Sequence, residues 1–551
     1  MSKGKNTIVS HPFAYAPAFQ KSVAYFSMEF AIDQSLKTYS GGLGFLAGSH
    51  MRSAYDLKQN LIGIGILWKF GYYDQDRATD NYMTPVFRQK FYNFVHDTKV
   101  RFSIDIMGRA TNVGVFKLEP ETFGTAPIYF LTTDVEGNDY DQRKISYHLY
   151  DHDPAIKIAQ CILLGVGGAK FLDTIHYEPE VYHLNEAHAV SSVFYLYKKY
   201  GNVGDIRKRL VFTTHTPEEA GNEKHNIYQL AHLGFFAGLH LRDIRPLIDT
   251  WDDVFNHSLV ALRLSRISNA VSKLHGDVSR KMWSDYTGVC PITHITNAQN
   301  KKYWADPLME SHRLAQNTEG LAARKKELKK QLFSFVADQT GKLFDPNVFT
   351  MVWARRFAAY KRPDLLTRET ERFKALMRNT KYPIQFIWAG KPYPKDFNAI
   401  DIFNGLHHLN YFVEKMAVLT GYELALSRLI KLGSDVWLNT PIVTREASGT
   451  SGMTAAMNGT INFSTYDGWV CEFATKENSF VVPVAPHEPS LVRDKTDIDN
   501  FYDMLEHQIL PMYYDNPTQW QKMMLQSMND VVPFFESDRM AAEYYEKVYN
   551  V

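Results

Sequence analysis

The sequence predicts two doubly wound Rossmann-like α/β domains, each built on a largely parallel sheet. Three observations lead there. Two separate passages alternate short apolar strands with helices, one from about residue 153 and one from about residue 345. A charged helical stretch lies between them. And 551 residues are too many for one ordinary domain.

In the first passage, residues 155–172 (AIKIAQCILLGVGGAKFL) read as a mostly buried helix and VYHLN (181–185) as a short buried strand. EAHAVSSVFYLYKKYG follows as a helix, and RLVFTTHTP (209–217) as the next strand. Strand, helix and strand at this spacing imply parallel pairing. In the second passage, VFTMVWARR (348–356) is a strand running into a polar turn, and YPIQFIWAG (382–390) is another. YELALSRLIKLG reads as a helix, SDVWLNTP as a strand, TSGMTAAMNG as a helix, and TINFSTYDG comes next. The intervening LAARKKELKKQLFSFVADQ is helical, and its charges suit a solvated face. We place the boundary near residue 293, giving domains over 1–293 and 294–515, with amphipathic helices over 516–551 crossing back to the first. Doubly wound domains carry their ligands at the carboxyl ends of the strands, so a shared cleft is expected.

Composition narrows the function. Lys plus Arg (61) nearly equals Asp plus Glu (60), for a net charge of +1. There is no global attraction to nucleic acid or to an anionic membrane, and any anion site is local. Three scattered cysteines, Cys161, Cys290 and Cys471, suit a reduced cytoplasmic chain. The first residues show no apolar core of a secretory signal. Stretches such as Leu61–Trp68 and Cys161–Gly168 are too short to span a bilayer. The spacing of His183 and His188 fits no common zinc site, and no metal is expected.

Five motifs bear chemistry. SGGLGFLAG (40–48) is a glycine-rich turn whose backbone N–H groups suit either an anion or tight packing. MVWARRFAAYKRPDLL (351–366) sets Arg355, Arg356, Lys361 and Arg362 just after a strand, a pattern suited to phosphate or to a solvated basic turn. EASGTSGMTAAMNG (446–459) places Glu446, an acceptor for vicinal sugar hydroxyls, before a glycine-opened helix. HLNEAH (183–188) and TTHTPEEAG (213–221) each set a histidine at a strand end.

Taken in order, these segments resemble the α-glucan (glycogen, starch, maltodextrin) phosphorylases of the compact bacterial and archaeal type. YFSMEFAIDQSL (25–36), YSGGLGFLAGSHMRSAYDL (39–57), GIGILWKFGYYDQ (63–75), HLNEAH, TTHTP, ITN (295–297), ARRFAAYKR and EASGTSGM carry the resemblance, from about residue 22 to 548. It implies a GT-B-type fold and retaining phosphorolysis of an α-1,4-glucan to α-glucose 1-phosphate. By motif it places Gly41, Gly42, Arg356, Lys361 and Thr450 around phosphate. Glu446, Ser448 and Gly449 would hold the glucosyl hydroxyls, with Asn185 on the glucan side. The backbone carbonyl of His215 would face the anomeric carbon. Catalysis would then be electrostatic, with no protein nucleophile.

One position departs. The family motif continues EASGT-x-x-M-K, and its lysine forms the imine with pyridoxal phosphate; here that position is Thr454. Threonine has no amine, so no covalent pyridoxal phosphate is expected. Three readings follow: a phosphorylase, with the cofactor held non-covalently if at all; a glucosyltransferase using a nucleotide-diphosphate glucose; or a non-catalytic glucan-binding protein. The expected partners are an α-glucan with phosphate or a nucleotide-sugar donor, without nucleic acid or membrane. Self-association is left open.

Overall fold

The computed structural model describes residues 8–486 and 489–551. They divide into two units. One takes residues up to Tyr73, Phe87–Asn297 and Ser537–Val551, the other Asp74–Val86 and Ala298–Glu536.

The first unit is built on a nine-stranded sheet. Its order is Ile292–His294, Ile267–Ala270, Leu210–Thr213, Val181–Asn185, Val23–Phe26, Leu61–Ile66, Ile128–Thr132, Arg109–Leu118 and Val95–Ile106. All pairings are parallel except those of the last two strands. The central strands VAYF, LIGIGI and VYHLN are buried at every position, as strands covered on both faces must be. From Val181–Asn185 the chain runs outward in one direction; on the other side Val23–Phe26 leads to Leu61–Ile66, after which the chain passes to the edge strand Val95–Ile106 and returns inward, so the order reverses between Val23–Phe26 and Val181–Asn185.

The expected helix at 155–172 is part of a helical run, Pro154–Thr174, with a π-turn at Leu163–Gly167. Its 21 residues are long and apolar enough to cross a membrane by length and composition, which corrects the reading of short windows. Most of the run is buried inside the unit, as a core helix is. SGGLGFLAG proves largely helical, since Gly42–Asp56 is a helix with Gly41 as its N-cap.

The C-terminal helices, read together from the sequence, belong to different units. Pro517–Phe535 packs on Thr318–Thr340 and Ser451–Ala456 in the second unit. Ser537–Tyr544 packs on Gly42–Asp56 in the first. His183, in the core strand, holds this last segment. Thr213 Oγ1 donates to Asn269 Oδ1 (2.7 Å), so it accepts from His183 Nε2 (2.8 Å). His183 Nδ1 then accepts from the Tyr549 hydroxyl at 2.6 Å. Burial keeps the imidazole neutral by pushing its pKa well down, consistent with that tautomer.

The second unit is built on six parallel strands in the order Met416–Leu419, Ile384–Ala389, Phe349–Ala354, Val436–Asn439, Ile461–Ser464 and Ser479–Val481. The order reverses between Phe349–Ala354 and Val436–Asn439. The charged helix Thr318–Thr340 is not simply solvated. Lys325 and Lys329 share its buried face with Leu321, Leu328 and Leu332. Lys325 donates to Leu432 O (3.0 Å) and Thr460 Oγ1 (2.9 Å), and Lys329 to Asp435 Oδ2 at 2.5 Å. Polar partners inside the unit make that burial tolerable. The hairpin Asp74–Arg77/Met83–Val86 joins this unit through Gln75, which donates to Gly390 O (2.9 Å) and accepts from Gly421 N–H (3.1 Å).

Replacing Tyr549 by Phe leaves buried His183 Nδ1 without its donor. Loss of such a bond costs roughly 1–3 kcal/mol. Urea unfolding of Tyr549→Phe should show a lower midpoint at unchanged slope; an unchanged midpoint would show that the network does not hold the C-terminal segment.

Candidate active site

Along the carboxyl ends of the second unit's strands runs a row of charged side chains. Glu423 follows Met416–Leu419, Lys391 follows Ile384–Ala389, and Arg355 and Lys361 follow Phe349–Ala354. Glu446 follows Val436–Asn439, and Asp467 follows Ile461–Ser464. Lys391 and Glu423 form a buried pair at 2.8 Å. At the point where the strand order reverses, Glu446 Oε2 accepts from Arg355 Nη2 at 2.6 Å and from Lys361 Nζ at 3.0 Å. A switch point of a doubly wound sheet is where such a domain places its ligand.

The electrostatics of this cluster are lopsided. Burial pushes the Glu446 carboxyl up, but Lys361 and Arg355 outweigh it and hold it at about 2. Burial and the Arg355 charge pull the Lys361 ammonium down to about 7, against the attraction of Glu446. Arg355 is only 6% exposed, and its Nε and Nη1 find no acceptor among the described residues. Two cations therefore share one carboxylate, with guanidinium donors left over. An oxyanion supplies both the missing acceptor and the missing charge.

The other members of the basic motif divide. Arg356 is exposed and hydrogen-bonds Tyr360. Arg362 is structural rather than part of a phosphate cluster. It is buried at φ +44°, donates to Thr440 O (2.9 Å) and Pro441 O (3.1 Å), and pairs with Asp494 (2.9 Å) and Asp497 (2.7 Å).

After Glu446, Ser448 is buried and its Oγ has no partner among the described residues. Gly449 takes φ +86°, which glycine adopts without strain. Thr450 is the N-cap of the helix Ser451–Ala456, without a side-chain capping bond. Thr454 lies inside that helix, 1% exposed, and its hydroxyl donates to Ser451 O at 2.9 Å. It presents no amine, and its one polar group is committed to its own helix.

The first unit gathers its candidates at its own switch point. Asn185 Nδ2 donates to Ser27 Oγ (3.1 Å), and its Oδ1 accepts from His215 Nε2 (2.7 Å). Burial, with His275 and His188 nearby, lowers the His215 pKa to about 3, so the ring is neutral. Glu186, at φ +67°, accepts from the His215 N–H (2.5 Å) and from Thr216 Oγ1 (3.1 Å), fixing the backbone of that loop. Burial raises its pKa. The Gly41 N–H, expected at phosphate, donates instead to Glu29 Oε2 at 3.1 Å. Glu29 also accepts from Ser40 N–H (2.6 Å), Ser40 Oγ (2.9 Å) and Tyr150 (2.7 Å). A buried carboxylate thus fills part of the glycine turn, while Gly42 opens the helix behind it.

Sequence reasoning overlooked Glu29, Glu186 and Asp467 and left Arg355 without a role of its own. Arg355 was visible in the basic quartet, and Asp467 in TYDG at a strand end. Nothing in residue type distinguished them from ordinary turn residues. Among the described residues, no group of three or more His, Cys, Asp or Glu is placed to hold a metal ion.

Parallel doubly wound sheets with a buried charged cluster at a switch point define an α/β protein with its candidate site where such folds place ligands. Comparison with known proteins gives the family. The carbohydrate phosphorylase family model matches residues 295–488. The chain is 32% identical to the maltodextrin phosphorylase of Thermococcus litoralis, over 97% of this chain and 71% of that one. It is 29% identical to the glycogen phosphorylase of Aquifex aeolicus, over 99% and 88%. It is 44% identical to an uncharacterized protein of Methanocaldococcus jannaschii, over 96% of this chain and all of that one. The chain belongs to the glycogen and maltodextrin phosphorylase family and is a glycosyltransferase of that family.

Removing the carboxylate leaves Arg355 and Lys361 facing each other. Glu446→Gln should lower stability near neutral pH by up to roughly 3–5 kcal/mol, and by less if Lys361 sheds its proton. The native contribution is complete above the ordinary pKa of 4.5 and is lost as pH falls toward about 2. Denaturant unfolding of both proteins checks this; equal stability would mean that the cluster is not coupled.

Proposed function

We propose that the protein catalyses retaining transfer of a glucosyl group at the end of an α-1,4-glucan, with phosphate as the partner reagent and without covalent pyridoxal phosphate. The observation that carries this reading is Arg355, buried beside Lys361 and Glu446 with two donors unfilled. Family membership supports the glucan and the phosphorolytic direction.

In this reading Arg356, Lys361 and Thr450, joined by Arg355, take the phosphate. Glu446, Ser448 and Gly449 take the hydroxyls of the transferred glucose, and Asn185 serves the glucan side. An incoming oxyanion draws Arg355 and Lys361 toward itself and releases Glu446 to accept from sugar hydroxyls. Its charge also raises the Lys361 pKa from about 7, so binding takes up a proton at neutral pH. The carbonyl of His215 faces the anomeric carbon as positive charge develops there. Phosphate then attacks from the side on which the glucan leaves, and configuration is retained. Within the first unit, Glu186 stiffens the His215 loop.

Pyridoxal phosphate, typical of the family, fits in part only. The anion-binding side chains suit its phosphate. The imine does not fit Thr454, which we take as the counterpart of the family's lysine. No step is assigned to the cofactor. The same two-sided cation cluster favours one alternative, a nucleotide-diphosphate glucose whose two linked phosphates share Arg355, Arg356 and Lys361. The cytoplasm supplies either donor.

Three outcomes are expected. Arg356→Ala should weaken phosphate or donor binding by about 1.5–3 kcal/mol, the worth of a charged hydrogen bond; unchanged affinity would remove Arg356 from the site. Phosphate affinity should fall as pH rises through about 7, where free Lys361 loses its proton, and calorimetry in buffers of different ionisation enthalpy should register proton uptake. Borohydride reduction and peptide mapping should yield no pyridoxyl-lysine. The buried amines with lowered pKa values to inspect include Lys325, Lys329, Lys361 and Lys431, and an adduct on any of them would restore cofactor chemistry. Incubation with glycogen and phosphate, and separately with nucleotide-glucose donors, decides between the two reagents.

A further inference from the structure

The loop that carries Glu446 is in an unusual conformation. Thr444 sits at φ +75° and Gly449 at φ +86°. For a β-branched residue such as Thr444 a positive φ is strained, so something outside the loop must hold it. The turn Asp467–Trp469, after the next strand of the sheet, is packed directly against it. Asp467 is 2% exposed. Its Oδ2 accepts from the Glu446 N–H at 3.0 Å, and it also accepts from the backbone of Thr444. Its Oδ1 accepts from the Gly468 N–H at 2.8 Å, which fixes the carboxylate's own orientation. The Trp469 N–H donates to Ser448 O at 2.9 Å. Gly468, at φ +57°, leaves no space between the two segments: a Cβ there would lie 2.4 Å from Ser448 O and 3.1 Å from Glu446 O.

We propose that Asp467 is the positioning residue of the glucosyl site. Its carboxylate ties the backbone of Thr444 and Glu446 to the neighbouring strand end, and so sets where the Glu446 side chain points. This rests on the reading of Glu446 as the residue that holds the transferred glucose. The two segments come from adjacent strand ends, so the tie makes one rigid unit of them. Glu446 can then exchange Arg355 and Lys361 for sugar hydroxyls by side-chain rotation alone, with its backbone held.

Glu446 repels the Asp467 charge across the loop, and Cys471 lies on the same turn. Burial, with repulsion from Glu446, raises the carboxyl pKa to about 7. The loop's tie therefore weakens on protonation, since a carboxylic acid accepts less strongly than a carboxylate.

The test uses Asp467→Ala and Asp467→Asn in the full chain, with two readouts. The first is backbone hydrogen exchange across 444–450, which needs no turnover. Exchange should quicken at Glu446 in Asp467→Ala and return most of the way in Asp467→Asn, whose amide oxygen still accepts. The second is glucosyl transfer. Asp467→Ala should lose roughly 100-fold in kcat, the scale of a misplacement of about 1 Å, with the KM for phosphate little changed. Asp467→Asn should recover most of the loss and flatten the wild-type pH dependence around 7. Unchanged exchange in Asp467→Ala overturns the proposal, even if wild type shows no transfer. So does an Asp467→Asn variant as impaired as Asp467→Ala. Wild type without glucosyl transfer, but with the expected exchange pattern, overturns the function assigned to Glu446 and leaves the positioning role in place.

Discussion

The candidate site is organised around one buried contact, the meeting of Glu446 with Arg355 and Lys361. Bringing three charges out of water is costly, and attraction offsets it only when geometry and hydrogen bonding are nearly complete. Here both bonds converge on one carboxylate oxygen, Glu446 Oε2, and the cations are incompletely satisfied. The carboxylate stays ionised far below neutrality, the lysine stands near the middle of its titration at neutral pH, and the arginine keeps unused donors. A cluster optimised for stability alone would have a second carboxylate or one cation fewer. Under the proposed function, that imbalance is a demand for an anion that arrives with the substrate.

The scaffold supports that demand from several sides. The parallel sheet brings Arg355 and Glu446 to adjacent strand ends, although they are 91 residues apart in the chain. Arg362 anchors the far end of the basic turn on Asp494 and Asp497, which keeps Lys361 directed back toward Glu446. Below the sheet, Lys329 and Asp435 tie the long helix Thr318–Thr340 to the start of the strand that leads to Glu446. In the first unit the same strategy recurs with opposite sign. Glu29 and Glu186 spend their carboxylates on backbone N–H groups and so stiffen the glycine turn and the His215 loop.

Much of the mixed α/β character was legible, because it rests on patterns a sequence displays. VYHLN, FTMVWA and IQFIWA are unbroken apolar runs, and such runs become strands covered on both faces. Other features depend on contacts between distant residues. Lys325 and Lys329 look like a solvated face until Leu432 O, Thr460 and Asp435 are set beside them. The glycines of SGGLGFLAG suggest an anion cradle, and nothing in the motif shows that Glu29, after the strand Val23–Phe26, accepts from the Gly41 N–H. At the site, Glu446 and Lys361 stood out by motif. Arg355 and Arg356 are adjacent in sequence, and only the pleat of the strand end decides that Arg355 turns inward while Arg356 faces solvent. Asp467 carried no sequence signal beyond an acidic residue before a glycine.

We propose that this cluster is held in reserve for an oxyanion, which a crystal structure of the protein with inorganic phosphate would show. Phosphate should be found with its oxygens accepting from Arg355 Nε or Nη1 and from Lys361 Nζ, and with the Glu446 carboxylate turned away from at least one of its present partners. Phosphate bound elsewhere, with Arg355, Lys361 and Glu446 still joined as they are, would contradict it.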